Sequence, residues 1–257
     1  MIRLAVKIAY RGKDFCGSQI QPDVRTVEGD ILSDIGRITK LPTDSLDLHL
    51  ASRTDRGVNA LGNVASFNSN MDPEILLKAL NSTSEKIFYL SYALVGEDFN
   101  PRHASRRMYR YIMPSRGLDI SLVKECVALF VGENDFKRFC KSEGKPTIIT
   151  IDSIDLIVDD DDLILEFSAR FYLWNMIRRI AAATISVGCG NSSLSDVRDA
   201  LSGKDMTFGL ARADALTLTD ILYDNIHFKI PKETGMTPRI EEERFLCTLN
   251  EHFNRSL

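Results

Sequence analysis

The sequence predicts an α+β fold in two halves, and three observations predict it. Residues 2–10 alternate between apolar and polar or small side chains, which indicates a half-buried strand. Thr26 precedes apolar residues at spacings of four, four and three, typical of an amphipathic helix with an N-cap. Beyond a break at 96–107, a second series of strand and helix patterns begins. Such runs favour antiparallel sheets with helices on one face.

The first half continues with shorter patterns. Leucines alternate through residues 46–51 and predict a second strand, and residues 63–67 predict a third. Pro73 stands at the first turn of a predicted helix, and residues 86–95 form a strongly strand-like run. The resulting order is strand, helix, strand, strand, helix, strand, over a predicted first domain of residues 1–101.

The second half, residues 102–257, is predicted as a second α+β domain with a charged terminal tail. Its predicted elements are strand 107–113, helix 121–132, strands 147–158 and 163–169, helices 172–187 and 195–201, and strand 214–224. Four aspartates, residues 159–162, indicate a solvated hairpin turn between two of these strands. The polar tail from Lys232 predicts a terminal helix.

Composition excludes several classes of protein. The 257 residues are 44% hydrophobic and carry a net charge of −4, so a wholly basic nucleic-acid binder is excluded but a local basic patch is not. The five cysteines are scattered without any C-x-x-C spacing, and the histidines show no ligand spacing. No run approaches 18 apolar residues. We therefore expect a reduced, cytoplasmic protein with no metal site and no membrane span.

Residues 51–67 place Asp55 between Arg53 and Arg56 in a loop that Gly57 closes. An Asp-Arg-Gly sequence is ordinarily a turn in which glycine takes a positive φ. The functional alternative is that the neighbouring positive charge keeps the carboxylate ionised, so that it can act as a nucleophile or base. Arginines beside it would bind phosphates.

Residues 102–116 hold five arginines and two tyrosines. Alternation on a strand puts Tyr109 and Tyr111 on one face and Arg110 on the other. Arginine with interleaved aromatics suits looped or single-stranded RNA, in which phosphates meet guanidinium groups and bases stack on rings. Arg107 and Arg110 are therefore candidate RNA contacts. The alternative is a solvated strand edge with aromatic core residues.

A third candidate is Arg178, in the predicted helix of residues 172–187. Met176, Ile180 and their helical neighbours form an apolar stripe, and Arg178 lies on the other side, on the face of Trp174. Arg178 is thus either exposed to solvent or directed into a cleft.

These pieces occur together in an order that resembles the tRNA pseudouridine synthase A family, in its archaeal form. The loop at residues 52–60 resembles the signature around that family's catalytic aspartate. The other matching segments are residues 10–12 with Gly17 and Gln19, 98–102, 107–111, 132–136, 172–178 and 215–218. Together they span residues 2–224. Ser18 departs from the family, where many members carry an aromatic residue.

The resemblance implies a pseudouridine synthase fold. Two α+β domains, similar to RRM or ferredoxin-like domains, would share a central antiparallel sheet with a basic cleft across it. It implies a homodimer that isomerises uridines at positions 38 to 40 of the tRNA anticodon stem-loop without metal or cofactor.

The resemblance also assigns roles to residues of this chain. Asp55 matches the nucleophile, Arg178 the arginine that pairs with it, and Tyr109 the tyrosine that stacks on the target base. Leu216 matches a leucine that lines the pocket. Arg53 and Arg56, beside the aspartate, would contact the RNA.

Two other functions are open to the same composition. A non-catalytic RNA-binding protein with two RRM-like halves would need the arginines and tyrosines but not Asp55. A small-molecule enzyme on an α+β scaffold would have no use for the basic stretch of residues 102–116.

Overall fold

The computed structural model describes residues 1–255. The strands are β1 (Ile2–Tyr10), β2 (His49–Leu50), β3 (Asn59–Ser69), β4 (Ile87–Val95), β5 (Arg106–Pro114), β6 (Gly132–Asp135), β7 (Ile148–Ile151), β8 (Ser153–Asp159), β9 (Asp162–Ala169) and β10 (Leu216–Leu222). Eight of them form one sheet in the order β4-β1-β3-β10-β5-β9-β8, with β2 paired to β3. β6 and β7 form a separate two-stranded sheet.

The helices are α1 (Val27–Thr39), α2 (Thr43–Leu46), α3 (Pro73–Thr83), α4 (Ile120–Ala128), α5 (Met176–Gly188), α6 (Leu194–Leu201) and α7 (Thr237–Arg255). In α1, α3, α4 and α6 a side chain caps the free backbone N–H groups of the first turn. The Thr26 hydroxyl accepts a hydrogen bond from the Gly29 N–H at 3.3 Å, which confirms the predicted cap of α1. Asp72 caps α3 in the same way, with Pro73 in the first turn.

The two halves of the chain join at the centre of the large sheet. Strand β10 comes from the far end of the sequence but lies between β3 and β5. It runs parallel to β3, with Thr217 opposite Asn59, and antiparallel to β5. All other pairings between the described strands are antiparallel, which confirms the predicted α+β fold with a shared antiparallel sheet.

Each half buries its own helices against the sheet. Helices α1 and α3 contact each other and β4, and α4 contacts α5, α6 and β8. The chain after β10 then returns to the first half, where Lys229 pairs with Tyr92 through the backbone. Arg239 of α7 donates hydrogen bonds to the carbonyl groups of Ile87 and Glu85. The terminal segment, predicted as part of the second domain, thus packs on the first half, and the boundary at residue 101 stays a prediction.

Strand β1 is not half-buried as its alternation predicts. Its second face is also covered, since Arg3 is 6% exposed and Ala5 is fully buried. The reason is tertiary: Arg3 forms an ion pair with Asp47, and Lys7 forms one with Asp220 of β10. Polar residues on this face therefore meet partners rather than water.

Several predicted elements differ in the structure. The strand predicted over residues 147–158 is divided into β7, which pairs with β6, and β8, which pairs with β9, and the helix predicted over residues 121–132 ends at Ala128. Residues 46–51 form no full strand, because α2 occupies Thr43–Leu46 and Asp47 takes a left-handed conformation at φ 45° that interrupts the alternation. The helix predicted over residues 172–187 begins at Met176, because Asn175 is also left-handed, at φ 63°. The segment before it lies in an extended connection, where the Lys141 N–H donates to the Trp174 carbonyl at 2.9 Å.

Candidate active site

Asp55 lies in the loop between β2 and β3, at the junction of the two halves. Gly57 has a φ of 88°, a conformation that favours glycine, and the Val58 N–H donates to the Asp55 carbonyl at 3.1 Å. The tight turn expected of Asp-Arg-Gly is therefore present. It leaves the Asp55 side chain, 32% exposed, facing a cleft.

A buried hydrogen-bond network braces the loop just before Asp55. The Ser18 N–H donates to the Thr54 carbonyl at 3.0 Å, and the Thr54 N–H donates to the Ser18 hydroxyl at 2.8 Å. The Tyr10 hydroxyl, at the end of β1, bonds to the Thr54 hydroxyl at 2.8 Å. Because each of these partners is itself buried, the loop has little freedom to move. Ser18, the departure from the family pattern, thus supports the loop directly.

Each oxygen of the Asp55 carboxylate has its own donor. Arg178 Nη1 lies 3.4 Å from Oδ2, and the indole Nε1 of Trp174 donates to Oδ1 at 2.9 Å. Both donors come from the short segment that leads into α5 and its first turn. The carboxylate is therefore fixed in position by a cation and by a neutral donor at once.

Arg178 faces the cleft rather than the solvent, which decides between the two alternatives that the sequence left open. Its Nε donates to the Ala211 carbonyl at 2.8 Å, and the Ala211 N–H donates back to the Arg178 carbonyl at 3.2 Å. These bonds hold the guanidinium across from Asp55, with the side chain only 15% exposed.

Tyr109 lies on β5, opposite Leu218 of β10, and lines the same cleft as Asp55. Its ring is 8% exposed and meets the Tyr172 ring edge to face, with centroids 5.3 Å apart. Burial raises the pKa of Tyr109 to about 12, although the charge of Arg107 opposes this. The hydroxyl is therefore neutral at physiological pH and can donate a hydrogen bond.

Arg107 is buried, 8% exposed, and its donors point into the protein. Its Nε donates to the Ser52 hydroxyl at 2.9 Å, and its terminal nitrogens donate to the carbonyl groups of Ala51, Arg102 and Arg170. Burial lowers the pKa of Arg107 below its usual range. This geometry joins the start of β5 to the Asp55 loop, and it favours a positioning role over contact with a phosphate.

The remaining predicted contacts are distributed over two faces of the sheet. Arg53 and Arg56 are exposed, and Leu216 is 6% exposed; all three line the cleft. Arg110 is one residue beyond Tyr109 and so points to the opposite face, where it forms an ion pair with Glu166 of β9. The structure therefore separates Arg110 from the cleft.

The cleft has a volume of about 600 Å³, within the usual range for ligand sites. Its cationic lining residues are Arg53, Arg56, Arg102, Arg107, Lys141, Lys145 and Arg178. Its acidic lining residues are Asp55 and Glu143. A chain with a net charge of −4 thus has a strongly basic cleft, which suits a polyanion.

Sequence reasoning missed the contact of Trp174 with Asp55 and the support from Ser52 and Ser18. Trp174 was available as a signal, since it is the one tryptophan of the chain and precedes Arg178 by four residues. Its role depends on the left-handed Asn175, which no periodicity reveals.

Within residues 1–255, no group of three or more His, Cys, Asp or Glu side chains is placed to hold a metal ion. No helix of this part of the chain is long and apolar enough to cross a membrane.

Comparison with known proteins identifies the class of protein to which the chain belongs. A family model described as tRNA pseudouridine synthase matches residues 126–224, which include Trp174, Arg178 and Leu216. The chain is also similar along most of its length to curated proteins called tRNA pseudouridine synthase A.

The relative from Pyrococcus abyssi is 39% identical over 249 residues, which cover 95% of this chain and 94% of that protein. The relative from Pyrococcus horikoshii is 38% identical, over an alignment that covers 89% of this chain and 88% of that protein. The relative from Archaeoglobus fulgidus is 37% identical, over an alignment that covers 90% of this chain and 87% of that protein. This chain belongs to the tRNA pseudouridine synthase A family, and the relatives named here are archaeal.

Proposed function

We propose that this protein isomerises uridine to pseudouridine at positions 38 to 40 of the tRNA anticodon stem-loop, with Asp55 as the nucleophile. The reaction type follows from family membership: the chain is an isomerase that converts uridine to pseudouridine in tRNA. One observation supports the proposed role of Asp55. The Asp55 carboxylate, held by Arg178 and Trp174, lies in a basic cleft at the junction of the two halves.

The target uridine must first leave its base stack, because its glycosidic bond cannot be reached inside a helix. Extrusion costs a few kcal/mol. The Tyr109 ring supplies a flat surface on the cleft wall, and stacking on such a ring is worth about 1–3 kcal/mol per base. Leu216, opposite Tyr111 in the sheet, adds an apolar contact beside it.

The reaction then breaks the bond between the ribose C1′ and the uracil N1. Three routes fit a carboxylate at this place: attack on C1′, addition to uracil C6, or removal of the C2′ proton to give a glycal. In each, the uracil rotates so that C5 bonds to C1′, and C5 loses a proton while N1 gains one, so that the product is an isomer of uridine. Asp55 is regenerated when its bond to C1′ or C6 breaks or, in the glycal route, when it returns its proton to C2′. Arg178, 3.4 Å from Oδ2, helps to hold the carboxylate in position for the first step.

Arg53 and Arg56 are assigned to the RNA backbone, because both are exposed at the mouth of the cleft and flank Asp55. Arg107 is assigned a positioning role, since its donors bond to the protein. Arg110 is not assigned to RNA in this proposal, since its face of the sheet does not line the cleft.

The protein is proposed to act as a homodimer in the cytoplasm. Two-fold symmetric dimers are the commonest assembly, and a second subunit would offer surface for the tRNA body while the first holds the anticodon arm. Light scattering with and without tRNA tests this. A monomer mass together with full activity would contradict the dimer.

The test of function is incubation with unmodified tRNA, followed by carbodiimide treatment and primer extension to map pseudouridine. We expect stops at positions 38 to 40 with the wild type and none with Asp55→Ala. Binding of Asp55→Ala to tRNA should stay within about tenfold, because phosphate contacts supply most of the affinity. Product from Asp55→Ala above about a thousandth of the wild-type rate would refute the nucleophile role.

The same experiment tests the alternative, a non-catalytic RNA-binding protein. That alternative predicts tRNA binding without any modified base from the wild type. The placement of Asp55 argues against it, because a protein that only binds a polyanion gains nothing from a carboxylate held by two donors in its cleft.

A further inference from the structure

The segment before α5 turns a tryptophan toward Asp55. If the helix began at Tyr172, as the apolar pattern predicts, Trp174 would lie inside its first turn. Instead Asn175 takes φ 63° and ψ 4°, and the helix begins after it. A left-handed conformation is uncommon in residues other than glycine, although asparagine tolerates it, and such residues concentrate at functional sites. Here the turn directs the indole N–H to Asp55 Oδ1.

The indole bond supplies a restraint that Arg178 does not. The Arg178 nitrogen lies 3.4 Å from Oδ2, which is long for a charge-assisted hydrogen bond, and Arg178 also bonds to Ala211 and Asn175. A carboxylate held through one oxygen can still rotate about its Cβ–Cγ bond. The 2.9 Å bond from Trp174 to the other oxygen fixes the carboxylate plane.

Trp174 is itself held in place from a separate part of the chain. The Lys141 N–H donates to its carbonyl at 2.9 Å, and the Lys141 ammonium lies 4.3 Å from the centre of its ring. The residue nevertheless remains 44% exposed and lines the cleft. The indole N–H bonds to Asp55 although water can reach the ring, and the two contacts from Lys141 hold it in that direction.

We infer that Trp174 is a positioning residue whose indole N–H holds the carboxylate of Asp55 in the orientation required for its attack on the nucleoside. The inference rests on the proposed nucleophile role of Asp55. It predicts that removal of this one N–H slows the chemical step while tRNA binding is preserved, because the bond acts on the carboxylate and not on the RNA.

The sequence permits a test in which only the indole N–H of Trp174 is replaced. Trp174 is the single tryptophan among 257 residues, so biosynthetic replacement of tryptophan by benzothienylalanine exchanges its N–H for sulfur at this position alone. Replacement by 5-fluorotryptophan is the matched control, since it keeps the N–H. Trp174→Phe repeats the loss of the donor with a standard residue.

Single-turnover rates and tRNA dissociation constants are measured for all three proteins, together with melting temperatures. We expect benzothienylalanine and Trp174→Phe to lower the single-turnover rate about 10- to 100-fold, with the dissociation constant within about threefold. The 5-fluorotryptophan protein should retain the wild-type rate within about threefold.

Two results would overturn the inference by itself. One is an unchanged rate in the benzothienylalanine protein while Asp55→Ala is inactive. The other is a loss of rate that follows a fall in melting temperature and appears equally in the 5-fluorotryptophan control, because that would mark a purely structural residue. Activity in Asp55→Ala would instead refute the proposed function, and this inference with it.

Discussion

Arg107 Nε donates a hydrogen bond to the Ser52 hydroxyl at 2.9 Å, and this bond ties β5 to the loop that carries Asp55. Tyr109 lies two residues farther along the same strand, and Asp55 lies three residues beyond Ser52. The relative position of the proposed stacking ring and the proposed nucleophile thus depends on a buried guanidinium. Arg107 therefore affects the site by holding the backbone of the Asp55 loop in place beside β5.

Replacement of Arg107 should therefore destabilise the protein. Arg107→Met leaves the Ser52 hydroxyl and three carbonyl groups without their donor, and we expect the free energy of unfolding to fall by about 2–4 kcal/mol. Urea unfolding measures it. Arg110→Met is the matched control on the same strand; its partly exposed ion pair with Glu166 should contribute about 1 kcal/mol or less. Equal losses in both variants would contradict the positioning role of Arg107.

The salt dependence of tRNA binding should identify the arginines that contact phosphates. Arg53→Ala and Arg56→Ala should each reduce the slope of log affinity against log salt by up to about one unit. Arg110→Ala should leave the slope unchanged, because Arg110 lies on the opposite face of the sheet. Fluorescence anisotropy at several salt concentrations measures the slopes. A reduced slope for Arg110→Ala would place RNA on that other face.

Two substitutions of Tyr109 should distinguish a role in base stacking from a role in proton transfer. Tyr109→Phe keeps the ring and Tyr109→Leu removes it, so Phe should hold the extruded base about 5- to 150-fold better than Leu, the equivalent of one base stack. If the hydroxyl also moves a proton during loss of the C5 hydrogen, Phe should bind tightly yet turn over about 10²–10⁴-fold more slowly. Single-turnover kinetics with a 5-fluorouridine anticodon arm measure both. Wild-type turnover in both variants would make Tyr109 a core residue.

Stability should fall at alkaline pH. Burial raises the pKa of Tyr109 to about 12 and that of Cys126 to about 11, above their usual values. The folded state thus holds these protons more tightly than the unfolded state. Their contribution is complete below about pH 9 and is lost as pH rises through 11 and 12. Tyr109→Phe should reduce this loss by up to about 1.4 kcal/mol per pH unit, measured by urea unfolding from pH 9 to 11.5. An unchanged slope would show that Tyr109 titrates normally.

Gly12 should tolerate no side chain. A Cβ atom there would lie 2.3 Å from the carbonyl carbon of Gly57, in the turn that follows Asp55. Gly12→Ala must therefore displace that turn, and we expect activity to fall at least about 100-fold. Gly36→Ala, in α1, is the control, since its Cβ would meet only the Leu41 carbonyl at 3.9 Å; it should stabilise the helix by about 0.5–1 kcal/mol. Full activity in Gly12→Ala would mean that the turn shifts freely.

Local patterns predicted most elements because their causes are local. The cap at Thr26, the first-turn Pro73 and the alternation through β5 each act within a few residues, and the structure confirms all three elements. Two of the predictions failed where a left-handed residue ended a pattern. Asp47 interrupts the leucine alternation and Asn175 delays the start of α5, and neither conformation is visible in the spacing of apolar residues.

Arginine density correctly indicated a basic region but not which arginines face the cleft. Arg107 and Arg110 are three residues apart and equally charged, yet one is buried among backbone carbonyl groups and the other pairs with Glu166 across the sheet. Strand alternation assigns each to a face. Which face borders the cleft depends on strands from both ends of the chain.

The sequence by itself determined the α+β class, the elements with local signals and Asp55 as the candidate nucleophile, because caps, periodicity and ordered motifs are properties of short segments. Only the tertiary structure decided that Arg178 faces the cleft, that Trp174 holds the carboxylate, and that β10 closes the sheet between β3 and β5. Those facts join residues more than 100 positions apart. Such contacts depend on how the halves pack, which no local pattern encodes.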